Sequence, residues 1–171
     1  MSLYHFNNKK NKVKLKAEWI YSRIIQLSKE YIKKINHPFD NNFKITFEIF
    51  SIFLIMYFKI SKELKHEQLK YINVEIMNIF TKDLENNFRE FGIGDMSIGK
   101  YVKRYIKKFY FRIKKLDIIL DSSNISEMNE FLLILENQDL SAEISNNIFI
   151  SFNNLKKEMK INKIGGYLIE F

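Results

Sequence analysis

Chain breakers are scarce in this sequence. One proline and five glycines serve 171 residues, and three of those glycines, Gly92, Gly94 and Gly99, fall within eight positions. A many-stranded sheet needs turn residues roughly every 8–12 positions, which so few breakers cannot supply. Long helices joined at a handful of corners can be built from such a chain. The expected fold is therefore all-α: a single-domain bundle of about six helices with a short C-terminal tail.

Apolar spacing places the helices. Ala17, Ile20, Tyr21, Ile24, Leu27 (or Ser28) and Tyr31 recur at three- and four-residue steps, which predicts a first helix from about Lys14 to Ile35. The residues before it, 1–13, are polar and basic and read as a flexible arm, leaving 14–171 as the helical domain. "NHPFDNN" ends the first helix, because proline and the Asn/Asp cluster cannot continue it. Residues 43–64 are apolar on nearly every side, the mark of a central helix. Their uncharged core, Ile49 to Phe58, is ten residues, well short of the roughly 20 that a membrane span requires. A third helix is expected over 67–91, with Ile72, Ile76, Ile79, Phe80, Leu84, Phe88 and Phe91 as its stripe. The fourth is expected over 98–120 and the fifth over 126–137. One or two more follow, and "GGYLIEF" reads as an extended tail.

The glycine cluster sits between the third and fourth helices, in "FREFGIGDMSIGKYVKR", residues 88–104. Gly94 to Lys100 have the Gly-x-x-x-x-Gly-Lys spacing of a P-loop, but the Gly-x-Gly-x-x-Gly spacing of a dinucleotide-binding loop is absent. Tyr101 stands where a P-loop needs Ser or Thr, and a helix, not a strand, precedes the glycines. The cluster reads as a corner. Gly92 takes the left-handed position just past a helix end, which only glycine enters freely. Gly94 eases the turn, Asp95 or Ser97 caps the next helix, and Gly99 lets a neighbouring helix approach closely.

The formal net charge of +8 and pI near 9.4 point to an anionic partner. The fourth helix concentrates that charge. At 100° per residue, Ile98, Val102, Tyr105, Ile106, Phe109, Ile113, Leu116 and Leu120 share one arc. Lys100, Lys103, Arg104, Lys107, Lys108, Lys114 and Lys115 share the opposite arc with Phe111, and no acid offsets them before Asp117. Arg112 breaks the pattern by lying in the apolar arc. A buried guanidinium needs a carboxylate, and Asp83 or Glu90 of the preceding helix is the expected partner. There is no cysteine, and the three histidines are scattered, so no thiol chemistry and no metal or other cofactor is expected.

Residues 80–112, "FTKDLENNFREFGIGDMSIGKYVKRYIKKFYFR", resemble the signature segment of the ubiquinol–cytochrome c chaperone family. The matching positions are Phe80, Asp83, Arg89, Glu90, Gly92, Gly94, Asp95, Ser97, Gly99, Lys100, Lys103, Phe109, Tyr110 and Arg112. Weaker likeness extends over most of the chain, including "NHPFDNNF" and "ISNNIF". Phe88 and Phe111 depart from the pattern. So does the second helix, which lacks the histidine many members carry, and Asn42, which stands where an arginine would precede Phe43.

The resemblance implies a non-enzymatic assembly factor for the cytochrome bc1 complex (respiratory complex III) in its compact bacterial form. It would work in the cytoplasm, peripheral to the inner face of the inner membrane. The implied client is newly made cytochrome b, with no small-molecule substrate. The basic face would meet a ribosome or an anionic membrane surface, and Tyr110 and Phe111 would touch the client. Whether a second assembly-factor subunit joins as a partner is left open by the residues. The competing reading is a basic helical nucleic-acid- or ribosome-binding module.

Overall fold

The structure is a computed structural model, described over residues 2–34, 43–135 and 142–160. Six helices follow one another: α1 (Ser2–Lys34), α2 (Phe43–Leu64), α3 (Glu67–Glu90), α4 (Asp95–Ser122), α5 (Ile125–Leu135) and α6 (Ala142–Lys160). Among the described residues there is no strand. The all-α bundle expected from the scarcity of breakers is what forms. "NHPFDNN" and "GGYLIEF" lie outside the described residues.

α2 coincides with its expected range, and α3 differs by one residue. α1 begins at Ser2 instead of near Lys14, so the backbone of residues 2–13 is helical and continuous with the rest. α4 begins at Asp95 instead of Ile98, and α5 ends at Leu135.

α2 occupies the centre because its sequence leaves it no solvent face. Fifteen of its 22 residues are buried, and α1, α4 and α6 pack around it. α3 packs on α1 and α4, and α5 bridges α4 and α6. An aromatic column joins α2, α3 and α4. Phe43 meets Phe88 edge-on at 5.5 Å, Phe47 meets Tyr105 at 4.7 Å, and Phe80 meets Phe109 at 5.1 Å between ring centres. Such pairs add about 0.5–1.5 kcal/mol each beyond the area they bury. Phe91, expected in the buried stripe of α3, is 58% exposed because the helix has already ended at Glu90.

Two hydrogen bonds fix α1. The Tyr21 hydroxyl donates to Asp83 Oδ2 on α3 at 2.8 Å, and the Tyr31 hydroxyl donates to the Ile144 carbonyl on α6 at 2.8 Å. α1 thereby ties α3 to α6 and closes the bundle around α2.

Candidate interaction surface

The corner between α3 and α4 is built on Gly92. Its φ is +75°, in the left-handed region. The Gly92 N–H donates to the Arg89 carbonyl at 2.9 Å, and the Ile93 N–H donates to the Phe88 carbonyl at 3.0 Å. These are the two bonds of a Schellman motif, which satisfies the helix's last carbonyls. α4 then starts on Gly94, which is its N-cap with φ −63°. Neither Asp95 nor Ser97 caps the helix through its side chain, contrary to expectation. The Ser97 N–H bonds the Gly94 carbonyl at 2.8 Å, and Asp95 instead faces Arg89 across the corner at 3.4 Å.

Gly99 also differs from expectation. Among the described residues no helix approaches it: a Cβ added there meets nothing within 4 Å. Gly99→Ala should therefore stabilise the protein by about 1 kcal/mol, whereas Gly92→Ala should cost about 1–2 kcal/mol because alanine is strained at positive φ. Chemical denaturation of the two variants checks both signs.

The phasing of α4 is as the sequence indicates. Ile98, Val102, Phe109, Leu116 and Leu120 are buried, while Lys100, Lys103, Arg104, Lys107, Lys114 and Lys115 are exposed. None of these six cations forms an ion pair with a described carboxylate. Tyr110 is 53% exposed and Phe111 is 52% exposed beside them. Ile118 is 66% exposed on the same face, a position the charge pattern alone did not single out.

Lys108 does not join the outward cations. It is half-buried and pairs with Glu48 of α2. Arg112 is buried too, and it does not reach Asp83 or Glu90. Its Nε and Nη2 donate to the two oxygens of Glu48 at 3.1 and 3.3 Å. Asp83 is held by Tyr21 instead, and Glu90 is exposed. The guanidinium also lies 5.7 Å from the Phe131 ring centre, so it links α2, α4 and α5. Phe109, directly N-terminal to this region, is fully buried.

A second cluster of reversed sign lies further along the same two helices. Lys59 of α2 is 2.8 Å from both Asp117 and Asp121 of α4. Burial works against the charged form of Lys59, but the two carboxylates outweigh it and raise its pKa. Glu48 and Lys59 are eleven residues apart, three helical turns, and so share one face of α2. Their partners come in the same order along α4, so the two helices run parallel. With α4 reversed, Glu48 would face acids and Lys59 would face cations. The two clusters thus select the direction as well as the register of α4 on α2.

The sequence carried a signal for this arrangement. Two opposite charges on one face of an otherwise apolar helix require counter-charges on whatever packs there. Among the described residues no group of three His, Asp or Glu side chains is placed to hold a metal. Among them, too, no helix is long and apolar enough to cross a membrane.

Comparison with solved proteins bears on this architecture. A structure described as the crystal structure of the Cbp3 homolog from Brucella abortus superposes with a TM-score of 0.78, covering 100% of this chain and 95% of that one at 20% sequence identity. That match shows a shared fold. Nothing matches among the curated proteins. A family model described as ubiquinol-cytochrome C chaperone matches residues 37–169, which include α2 to α6, the corner and both charge clusters. The chain belongs to the ubiquinol–cytochrome c chaperone family.

Proposed function

We propose that this protein is a non-enzymatic assembly factor of the cytochrome bc1 complex that holds newly made cytochrome b. Family membership supports the assembly role. Cytochrome b, as an apolar membrane protein, cannot be left exposed before it is complete, and a helper must meet it where it is made or inserted. The observation that carries the reading is the outer face of α4, where six exposed cations lie beside the exposed rings of Tyr110 and Phe111. A solvated helix face ordinarily mixes signs, because like charges at i,i+4 repel by tenths of a kcal/mol per pair. Here that repulsion is tolerated on a helix anchored to α2 at two ion clusters, each centred on a buried α2 charge, Glu48 or Lys59. The arrangement suits a rigid docking face, with the cations against an anionic surface and the exposed ring of Tyr110 against the client. It needs no catalytic group.

Deleting the gene and recording the b-type haem spectrum tests the assembly role. The expected result is loss of spectroscopic cytochrome b. Co-purification of cytochrome b with the tagged protein should survive nuclease treatment. If nuclease released the client, or if deletion left the spectrum unchanged, the proposal would fail, and the first of these outcomes would favour a nucleic-acid-binding module.

A further inference from the structure

The basic face of α4 is interrupted by two apolar side chains that remain more than half exposed, Phe111 and Ile118. Phe111 and Ile118 are seven residues apart, two helical turns, so both point the same way from positions about 10 Å apart along the axis. They are 52% and 66% exposed. Cations flank them: Lys107 precedes Phe111, Lys114 and Lys115 lie between the two, and Lys115 Nζ is 5.8 Å from the Phe111 ring centre. Exposing Ile118 among lysines costs solubility, and among the described residues the buried side chains of α4 lie on the opposite arc.

We propose that this ridge of α4 docks the protein on an anionic lipid leaflet, with Phe111 and Ile118 entering the headgroup–acyl boundary and Lys107, Lys114 and Lys115 contacting lipid phosphates. Long basic side chains suit that role, because their aliphatic stems lie in the apolar layer while the ammonium groups remain at the headgroups. Amphipathic helices of this kind bury their apolar face about 5–10 Å deep, and each basic residue near an anionic leaflet adds about 1 kcal/mol. Tyr110 and Phe111 have rings of the kind on which single-stranded RNA stacks its bases, but Ile118, the most exposed apolar side chain of the ridge, has none and suits the acyl boundary instead. The inference rests on the reading of α4 as a docking face. It assigns that face a lipid partner, separate from the client.

The test uses the purified full chain and vesicles of phosphatidylcholine with or without phosphatidylglycerol. Binding is expected only with phosphatidylglycerol, and it should weaken as salt rises. Phe111→Ser combined with Ile118→Ser should weaken vesicle binding at least about tenfold, since two apolar side chains no longer leave water. Circular dichroism confirms that this variant keeps its helices. The chain has no cysteine, so Ile118→Cys gives a single site for an environment-sensitive dye. Its emission should shift to the blue on anionic vesicles and resist an aqueous quencher. The proposal is overturned if the double variant binds as tightly as the parent, if the dye remains quenchable on vesicles, or if the protein ignores both vesicle types but binds an RNA hairpin. Vesicle binding requires no client. Loss of cytochrome b capture with vesicle binding intact would therefore sink the chaperone reading and leave this one standing.

Discussion

Glu48→Ala should destabilise the protein by about 3–5 kcal/mol, the cost of leaving buried charge without its partner. Glu48 is 2% exposed, and it is the carboxylate for both Arg112, 6% exposed, and Lys108. Against a typical stability of about 5–15 kcal/mol, that loss should appear as a large drop in Tm or outright failure to fold. Arg112→Met should cost less, because Glu48 retains Lys108. Glu48→Leu combined with Arg112→Met should recover much of the stability lost in Glu48→Ala, since no guanidinium is then stranded. If Glu48→Ala melted with the parent, the clamp between α2 and α4 would have no energetic weight.

The second cluster should behave differently. Lys59 is buried, but its partners are open to water, with Asp117 43% and Asp121 68% exposed. Lys59→Met frees two carboxylates that solvent can accommodate, so its effect should stay within about 1 kcal/mol. Replacing both aspartates by alanine strands the lysine instead and should cost more. The same pair of helices thus carries one ion cluster that tolerates losing its central charge and one that does not. The difference lies in which partner is buried.

Alkaline pH should unfold the protein steeply. Tyr21, Tyr31 and Tyr57 are each at most 5% exposed, and burial pushes all three hydroxyls above the ordinary tyrosine range. Asp83 raises Tyr21 further, by its charge and as its hydrogen-bond partner. In each case the folded chain keeps a proton that the unfolded chain releases near pH 10. Stability from these groups is present in full below that pH and is lost as pH rises above it. Each group contributes a slope of about 1.4 kcal/mol per pH unit, so the three together give about 4. Lys59, also raised, adds to the same trend at its own higher onset. Tyrosinate absorbance should show these three of the nine tyrosines ionising only in the cooperative unfolding step. Tyr57→Phe should lower the slope by about a third. Smooth titration of all nine near pH 10, with the helical signal intact, would refute this.

Much of this architecture was legible in the residues. α2 and α3 fall where the apolar spacing puts them, and Gly92 closes α3 in the left-handed conformation. Ile98, Val102, Phe109, Leu116 and Leu120 face inward on α4, with six cations facing out. All of these depend on contacts within about five residues: helical hydrogen bonds, side-chain periodicity and the steric freedom of one glycine. The signature around the corner was legible for the same reason, since it is contiguous in the chain.

What the sequence left open depends on which helix meets which. Arg112 announced that it needed a carboxylate, but the acids expected from the preceding helix, Asp83 and Glu90, were not its partners. Asp83 faces Tyr21 of α1, and the place beside Arg112 belongs to Glu48, 64 residues away. Lys108 lies at the edge of the basic arc, and a wheel cannot tell whether such a residue turns outward. The packing of α2 turns it in. Gly99 showed the converse, since a glycine marks where a helix has room to approach but not whether one does. Local hydrogen bonding and periodicity decide where a helix runs and which side is wet. Pairing across the core depends on crossing and register, which are settled only when all six helices compete for the same apolar interior.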